Sequence, residues 1–389
     1  MKLVNLFFIF IVIHLASCAY IPAPENSNVG ERLKIVEVNQ RLQSTEANIN
    51  LIETNLSGLS LTGMNLQNAK ISSSFLYRVD LSDSNLAKAD LRGADLRYAT
   101  LHNVNFRNAN LTGVDFRNAS IKNSDFTGAT LSNANFQDTD IDRSVFKTAD
   151  ISNANFKYVS INESLFESSH LQNTDFTGAR VNGADFKYAT IHSATLVKIQ
   201  FSNSKFQATS LSSSHLSRSD FTNCSFNDAD LSFTLANEVN FTDSDLQGAT
   251  FRQSDLTGAT FDNANMSYTD LTNGSFKESQ MRNTNLSNSS LKNTNLSRSN
   301  LVNASLVYAT LNEVNLSNAQ LKKSNFFKAN VTASNFTNSD LTETNFQEAT
   351  LNRTIFTLAN IKKANFTLAV GLDKTIGMKN TRNTNQAIF

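Results

Sequence analysis

From Leu56 to Phe366 every fifth residue is Leu, Ile, Val, Phe or Met, beginning Leu56, Leu61, Leu66, Ile71, Leu76. Of the 63 positions in this series only Ala236 departs from the rule. Two residues before nearly every apolar centre stands a small side chain, usually Ala, Ser, Thr or Val, as at Ala89, Ala94, Ala99, Val104 and Ala109. Asp or Asn commonly lies between the two, as at Asp90, Asp95, Asn105, Asn110 and Asp115. A period of five fits neither the 3.6 residues of a helical turn nor the two of a strand. The organising unit is therefore an internal repeat. A corner every five residues turns one large and one small side chain inward and leaves three outward. Asp, Asn, Ser and Thr can bond the backbone at such corners, so Gly and Pro are not required.

Stretches such as Ala89-Asp90-Leu91-Arg92-Gly93 and Ala94-Asp95-Leu96-Arg97-Tyr98 match the pattern A(D/N)LXX letter for letter. On these residues the chain resembles the pentapeptide-repeat family, from Thr54 to Ala369 without insertion or deletion. The resemblance implies an all-β fold, a right-handed quadrilateral β-helix in which four pentapeptides form a square coil of twenty residues. The repeats make about 16 coils, a rod about 75 Å long at the ~4.8 Å spacing of paired strands. One domain is expected, over residues 55–369.

Sorted by a period of twenty, Phe106, Phe126, Phe146, Phe166, Phe186, Phe206 and Phe226 fall on one side, and Phe116, Phe136, Phe156 and Phe176 on the opposite one. Aliphatic residues occupy the sides between, as close packing of a fixed width requires. Near 201–241 the aromatic column changes sides, with Ala236 at the handover. A local bulge is expected there, with Leu235 turned inward in place of Ala236. The centres from Met281 to Leu316 contain no Phe, so narrower coils or a bend are expected.

The ends follow other rules. Residues 1–17 read as a signal peptide: Lys2, then an apolar run from Leu3 to Leu15 too short to span a bilayer. Leu15-Ala16-Ser17-Cys18 resembles the lipobox of bacterial lipoproteins, which implies lipidation of Cys18 and attachment to a membrane through that lipid. Ala19 after the cysteine favours the outer membrane by the same resemblance. Cleavage after Ala19, giving a secreted protein, is the alternative. Residues 18–30, with Pro22 and Pro24, read as a tether. Ile35, Val38, Leu42, Thr45, Ile49 and Ile52 alternate spacings of three and four, which predicts an amphipathic α-helix over 31–54. It serves either as an N-terminal cap on the open coil or as a short oligomerising coiled coil. Past Ala369 the register fails at Gly371, and 370–389 are expected to form a C-terminal cap. Some family members pair there as dimers, so a homo-oligomer through 31–54 or the C-terminal cap is a further expectation.

The chain of 389 residues balances 34 Lys+Arg against 34 Asp+Glu, with two Pro, two Cys and 13 Gly. Family members known for imitating DNA and protecting topoisomerases need a cytoplasmic location and a strongly acidic face. An export signal and a neutral balance disfavour that role, and a nucleic-acid partner is not expected. His102, His170, His192 and His215 all point outward and none lies one coil from another, so no metal site is predicted. Cys224 falls at a small inward position between Ser204 and Ser244, as a buried inert thiol. Single Asp residues at the corners do not make a catalytic pair, and no phosphate-cradling Gly-rich motif occurs. No enzyme and no cofactor are predicted. The candidate interaction patch is Lys322, Lys323, Lys328, Lys362 and Lys363, two coils deep on one face. The expected function is a cell-envelope lipoprotein whose rod binds a protein or an envelope polymer. A secreted host-interacting effector or adhesin is the alternative if cleavage follows Ala19.

Overall fold

The computed structural model describes Leu33, Glu37, Val38, Gln40 and residues 49–389. The chain is an all-β parallel solenoid. Six three-residue strands, β1 Thr100–His102, β2 Ser120–Lys122, β3 Asp140–Asp142, β4 Ser160–Asn162, β5 Arg180–Asn182 and β6 Gln200–Ser202, pair in chain order as one parallel sheet, each displaced twenty residues from the last. Isolated parallel bridges repeat the same spacing from Asn50↔Lys70 to Thr350↔Val370, with a bridging residue every five positions. Each turn of the solenoid therefore has four sides.

One pentapeptide shows why the sequence takes this path. Leu91 is buried, and its N–H donates to the Asn110 carbonyl of the next coil at 2.8 Å. The Arg92 N–H donates to Asp90 Oδ1 at 3.2 Å, the Gly93 N–H to Thr112 O at 2.9 Å, and the Ala94 N–H back to Leu91 O at 2.9 Å. The Asp95 N–H donates to Ser74 O of the preceding coil at 2.9 Å. All five amides are thus bonded, as a backbone folded around a dry axis demands. The acidic or amide side chain of the repeat is a backbone acceptor, and the small residue is small because the turn closes directly on it.

The third residue after each Asp or Asn sits at positive φ, and most such residues are not glycine. Asn at 103, 108, 118 and 123 tolerates this readily, whereas Thr148 at φ 53° carries a branched Cβ into the same region.

Where β1–β6 lie the turn bond opens, and at β1, β2, β3 and β5 a buried hydroxyl of the next coil accepts the freed N–H. Ser124 Oγ accepts the Val104 N–H at 3.0 Å and donates to Leu101 O at 2.8 Å, bridging two coils. Away from these strands Ser214 bridges Ala194 and Ile191 in the same way, and Ser84 accepts the Met64 N–H and donates to Leu61 O beside a turn bond kept at 3.3 Å. Serine at the inward position is therefore a staple between coils as well as a small side chain.

The axis is filled by stacked rings. Successive pairs from Phe106 to Phe226 stack with centroids 4.6 to 5.2 Å apart, and those from Phe116 to Phe176 at 4.6 to 4.7 Å. Edge-to-face contacts such as Phe116–Phe126 at 6.3 Å tie the two columns together, an arrangement favoured by the ring quadrupole.

The expected bulge at the handover does not form. Ala236 stays inward and fully buried, and Leu235 is 53% exposed. Pairing runs straight through, His215↔Leu235 and Leu235↔Asp255. The reason is the new arrangement of rings. Phe221 and Phe241 meet Phe226 edge-on at 5.3 and 5.4 Å from the adjacent side, so rings close the interior around Ala236 without Leu235 turning in. Between Met281 and Leu316 the bridges keep their twenty-residue spacing, so the loss of Phe leaves coil pairing uninterrupted.

Both ends differ from the expected boundaries. Leu51 is already buried and donates to Lys70 O at 2.7 Å, so paired coil begins before residue 55 and takes in the end of the segment expected to be helical. Glu37, Val38 and Gln40 have helical backbone, and Val38 is buried against the core. Leu33 is not helical and donates to Asn55 O at 3.1 Å; the other residues before 49 of the helix expected over 31–54 lie outside the described residues, as do residues 1–17, Cys18 and the tether 18–30.

At the other end the period lengthens to six. Val370, Ile376, Arg382 and Ile388 bridge Thr350, Ile355, Asn360 and Asn365 in turn. Between them stand the 3-10 turns η1 Leu372–Lys374, η2 Met378–Asn380 and η3 Thr384–Gln386, each preceded by a residue at positive φ: Gly371, Gly377 and Asn383. Each turn bonds to itself, as in Lys374 N–H to Gly371 O and Thr375 N–H to Leu372 O. Glycine is needed at 371 because a Cβ there would lie 2.2 Å from Asn352 Oδ1 at φ +81°. Phe389 stacks over Phe366 at 5.4 Å and ends the column.

Two substitutions test this account. Ser124→Ala strands a buried N–H and a buried carbonyl and should destabilise by about 2 kcal/mol, read as a lower midpoint in thermal or urea unfolding. Thr148→Asn should act oppositely, stabilising by about 1 kcal/mol through relief of the left-handed backbone.

Candidate binding surfaces

Outward side chains are placed by the same repeat. Each Asp or Asn leans over its own corner: Asp125 Oδ1 accepts the Thr127 N–H at 2.9 Å and its hydroxyl at 2.5 Å. Amides also form ladders up the rod, as in Asn105 to Asn85 at 2.9 Å, Asn283 to Asn263 at 3.0 Å and Asn303 to Asn283 at 3.1 Å. Opposite charges meet across coils at Arg107–Asp125, Lys147–Glu167, Lys157–Asp175 and Arg218–Glu238, 2.6 to 3.0 Å apart. Exposed pairs of this kind add little stability each. They do cancel the charge that a partner would meet.

The carboxyls at the corners respond accordingly. Hydrogen bonding from Arg92 holds the Asp90 carboxyl below its ordinary value against the opposing effect of burial. At Asp125 burial is the largest influence and raises the pKa, but the Thr127 hydroxyl and amide with Arg107 together outweigh it, so the carboxyl lies lower than usual. Asp175 and Asp270 show the same balance with Thr177 and Lys157, and with Thr272 and Arg252.

The five lysines of the candidate patch do not act alike. Lys323 pairs with Glu343 at 3.9 Å, and Lys328 with Glu348 at 3.5 Å while lying 5.1 Å over the Phe327 ring. Lys322, Lys362 and Lys363 are exposed and form no ion pair among the described residues. Glu343 stands one coil from both Lys323 and Lys363 in the same corner column, so acid interrupts the base that the sequence places two coils deep. The patch thins in its middle and gathers toward the C-terminal end.

Other candidates stay separate. His102 Nε2 lies 3.0 Å from Ser120 Oγ and His215 Nε2 3.0 Å from Ser217 Oγ, and no group of three or more His, Cys, Asp or Glu among the described residues could hold a metal ion. Cys224 is buried, its Sγ 3.9 Å from Phe201 O, and burial pushes its thiol up to about 12. A thiol so held does not ionise near neutrality. Tyr268, in the outward column of Tyr188 and Tyr308, borders a shallow open depression lined by Asn227, Asp228, Gln247 and Gly248.

Two surface features escape whole-chain arithmetic. Residues 219–278 carry ten acidic side chains against two basic ones, an acidic belt hidden inside the neutral total. Near the N-terminal end Tyr77 and Tyr98 meet edge-on at 5.5 Å, with Arg78 5.3 and 5.7 Å from their rings and Arg97 5.7 Å from Tyr77. Counting charge coil by coil finds the first. The second needed the corner positions 77 and 98 to be read as neighbours twenty-one residues apart.

Sequence models described as "Pentapeptide repeats (8 copies)" and "Pentapeptide repeat region" match residues 47–113, 119–216 and 240–370, more than half of the chain. No curated protein matches it. Among solved structures, HetL, a pentapeptide repeat protein involved in heterocyst differentiation regulation from the cyanobacterium Nostoc sp. strain PCC 7120, is 20% identical over 69% of this chain and 97% of its own, with a TM-score of 0.21. QnrB1, a plasmid-mediated fluoroquinolone resistance protein, is 16% identical over 57% of this chain and 90% of its own, with a TM-score of 0.21. Rfr23 from the cyanobacterium Cyanothece 51142 is 32% identical over 26% of this chain and 63% of its own, with a TM-score of 0.14. Superposition is loose in every case, so the repeat itself, and not these likenesses, identifies the chain.

The depressed carboxyls fix the sign of the response to acid. A carboxyl whose folded pKa lies below its unfolded value stabilises above the unfolded value of 3.8 and loses that contribution as pH falls through the lower, folded one. Thermal midpoints should therefore hold steady from neutrality to about pH 5 and decline below pH 4. Asp125→Asn and Asp175→Asn together should make that decline shallower.

Proposed function

The chain belongs to the pentapeptide-repeat family, and we propose that it is a non-enzymatic scaffold of the cell envelope, anchored by lipid on Cys18 and binding a protein or an envelope polymer along its sides. The observation that carries the scaffold reading is the state of the outward side chains. Their polar groups are engaged in ladders, corners and ion pairs up the rod, which makes a rigid patterned surface with no metal-binding cluster among the described residues. Rigidity lowers the ordering cost of binding and suits a long, shallow contact. The location rests on Leu15-Ala16-Ser17-Cys18 and, for the outer membrane, on Ala19.

On this reading the rod is a right-handed square β-helix of about 16 coils, with a short helix around Glu37 and Val38 laid over its first coil. Tether 18–30 joins it to the lipid. Lys322, Lys362 and Lys363 are the members of the lysine patch free to meet an anionic polymer. Self-association would use the N-terminal helix or the C-terminal cap. Secretion after cleavage at Ala19, with a host-interacting role, is the second reading. Mimicry of DNA gains one observation, the acidic belt at 219–278, but the belt covers only three coils and basic residues flank it at Arg218, Arg282 and Lys292.

Metabolic labelling with palmitate separates the first two readings. The wild-type chain should take up label and partition with membranes, and Cys18→Ala should do neither. An unlabelled wild-type protein recovered from the medium would replace the anchored scaffold with the secreted one.

A further inference from the structure

We propose that the C-terminal end of the rod is a docking face for an anionic lipid surface, met end-on and independently of Cys18. Residues 351–389 hold Arg353, Lys362, Lys363, Lys374, Lys379 and Arg382 against Asp373 alone. All six basic residues are exposed, and none forms an ion pair among the described residues. Elsewhere on the rod many basic side chains meet acid within their own corner, as at Arg92–Asp90, or in an adjacent coil, as at Arg107–Asp125.

The solenoid geometry distributes these charges around the square end. Turn η1 follows Val370, which bridges Thr350, and precedes Ile376, which bridges Ile355, so Lys374 lies over the corner held by Arg353. By the same reasoning η2 brings Lys379 over the corner of Leu358, and Lys363 holds the third corner beneath η3. Arg382 reaches toward the second corner, donating from Nε to Leu358 O at 3.1 Å.

The fourth corner is apolar. Leu368 is 71% exposed, with Val370, Ile388 and Phe389 beside it, all more than half exposed. Leu368 occupies a positive-φ corner position that Asn or Gly would fill with less strain, so local backbone preference does not account for it. A square face with cationic side chains at three corners and large apolar ones at the fourth complements a bilayer surface. Phosphate headgroups neutralise the bases while the apolar corner enters the interface. A soluble polyanion would use the bases and leave the apolar corner in water.

Vesicle co-sedimentation tests this with the full chain carrying Cys18→Ala, so that acylation cannot contribute. Vesicles of phosphatidylcholine alone are compared with vesicles containing about a third phosphatidylglycerol. The N-terminal segment is common to all variants, so differences among them report the far end. The parent should favour the anionic vesicles at least about tenfold, and Lys362→Gln with Lys363→Gln, Lys374→Gln and Lys379→Gln should abolish that preference. Leu368→Asn with Phe389→Ser should weaken binding several-fold at unchanged lipid charge. Circular dichroism melts establish that both variants fold. Equal binding to the two vesicles, or a quadruple variant that binds as the parent does, overturns the proposal. So does capture by soluble dextran sulfate with no dependence on Leu368 and Phe389. Light scattering that shows these residues holding a second copy, without vesicle binding, overturns it as well.

Discussion

Every feature of the rod depends on the hydrogen bond between one coil and the next. The interior is too narrow for water and too apolar to satisfy a stray amide, so each N–H must find a carbonyl twenty residues away, a corner carbonyl or a side chain. Five residues per side is the length at which this can be met without remainder, as Leu91 to Asp95 show. The identity of the side chains follows. Asp or Asn accepts the amide that points out of the corner, a small residue admits the turn, and a large one closes the axis. Loss of one such bond is costly because both partners are left dry.

Stability in such an array is local. A coil touches only its neighbours, so the molecule has no single centre whose loss unfolds everything at once. Phe stacks and Ser staples share the task of holding successive coils in register. The aromatic columns provide burial and ring contacts, and the hydroxyls of Ser124 and Ser214 stand in for open turn bonds. The handover near Ala236 shows how closely the sides compensate one another. Rings move from opposite to adjacent sides, and the facing position is filled by Leu216 in one coil and by Ala236 in the next, with pairing unbroken.

Much of this was legible from the sequence, because a strict period fixes which residues face inward before any coordinate is known. The buried series and the aromatic columns were readable from spacing alone. The bulge at Leu235 was not, since judging whether Ala236 leaves a void requires knowing where three neighbouring rings point. The lysine patch was half legible. Its face followed from the forty-residue interval, but Glu343 and Glu348 lie in the intervening coil and their effect is a matter of contact. At the C-terminal end the failing register was visible at Gly371. Its replacement, a period of six marked by Gly371, Gly377 and Asn383, was masked by three copies of changing composition.

The sixth residue has a consequence for the length of the molecule. A solenoid of identical sides carries no instruction to end: its last edge is as good a template as its first, and stacked copies could extend it without limit. The turns at η1, η2 and η3 each bond two amides to their own carbonyls, where the ordinary corner bonds one, and the six-residue sides no longer match the five-residue edge that an extension would read. The extra residue per side therefore works as punctuation. Rod length is written by where the period changes, in the way a stop signal bounds a message whose letters would otherwise repeat.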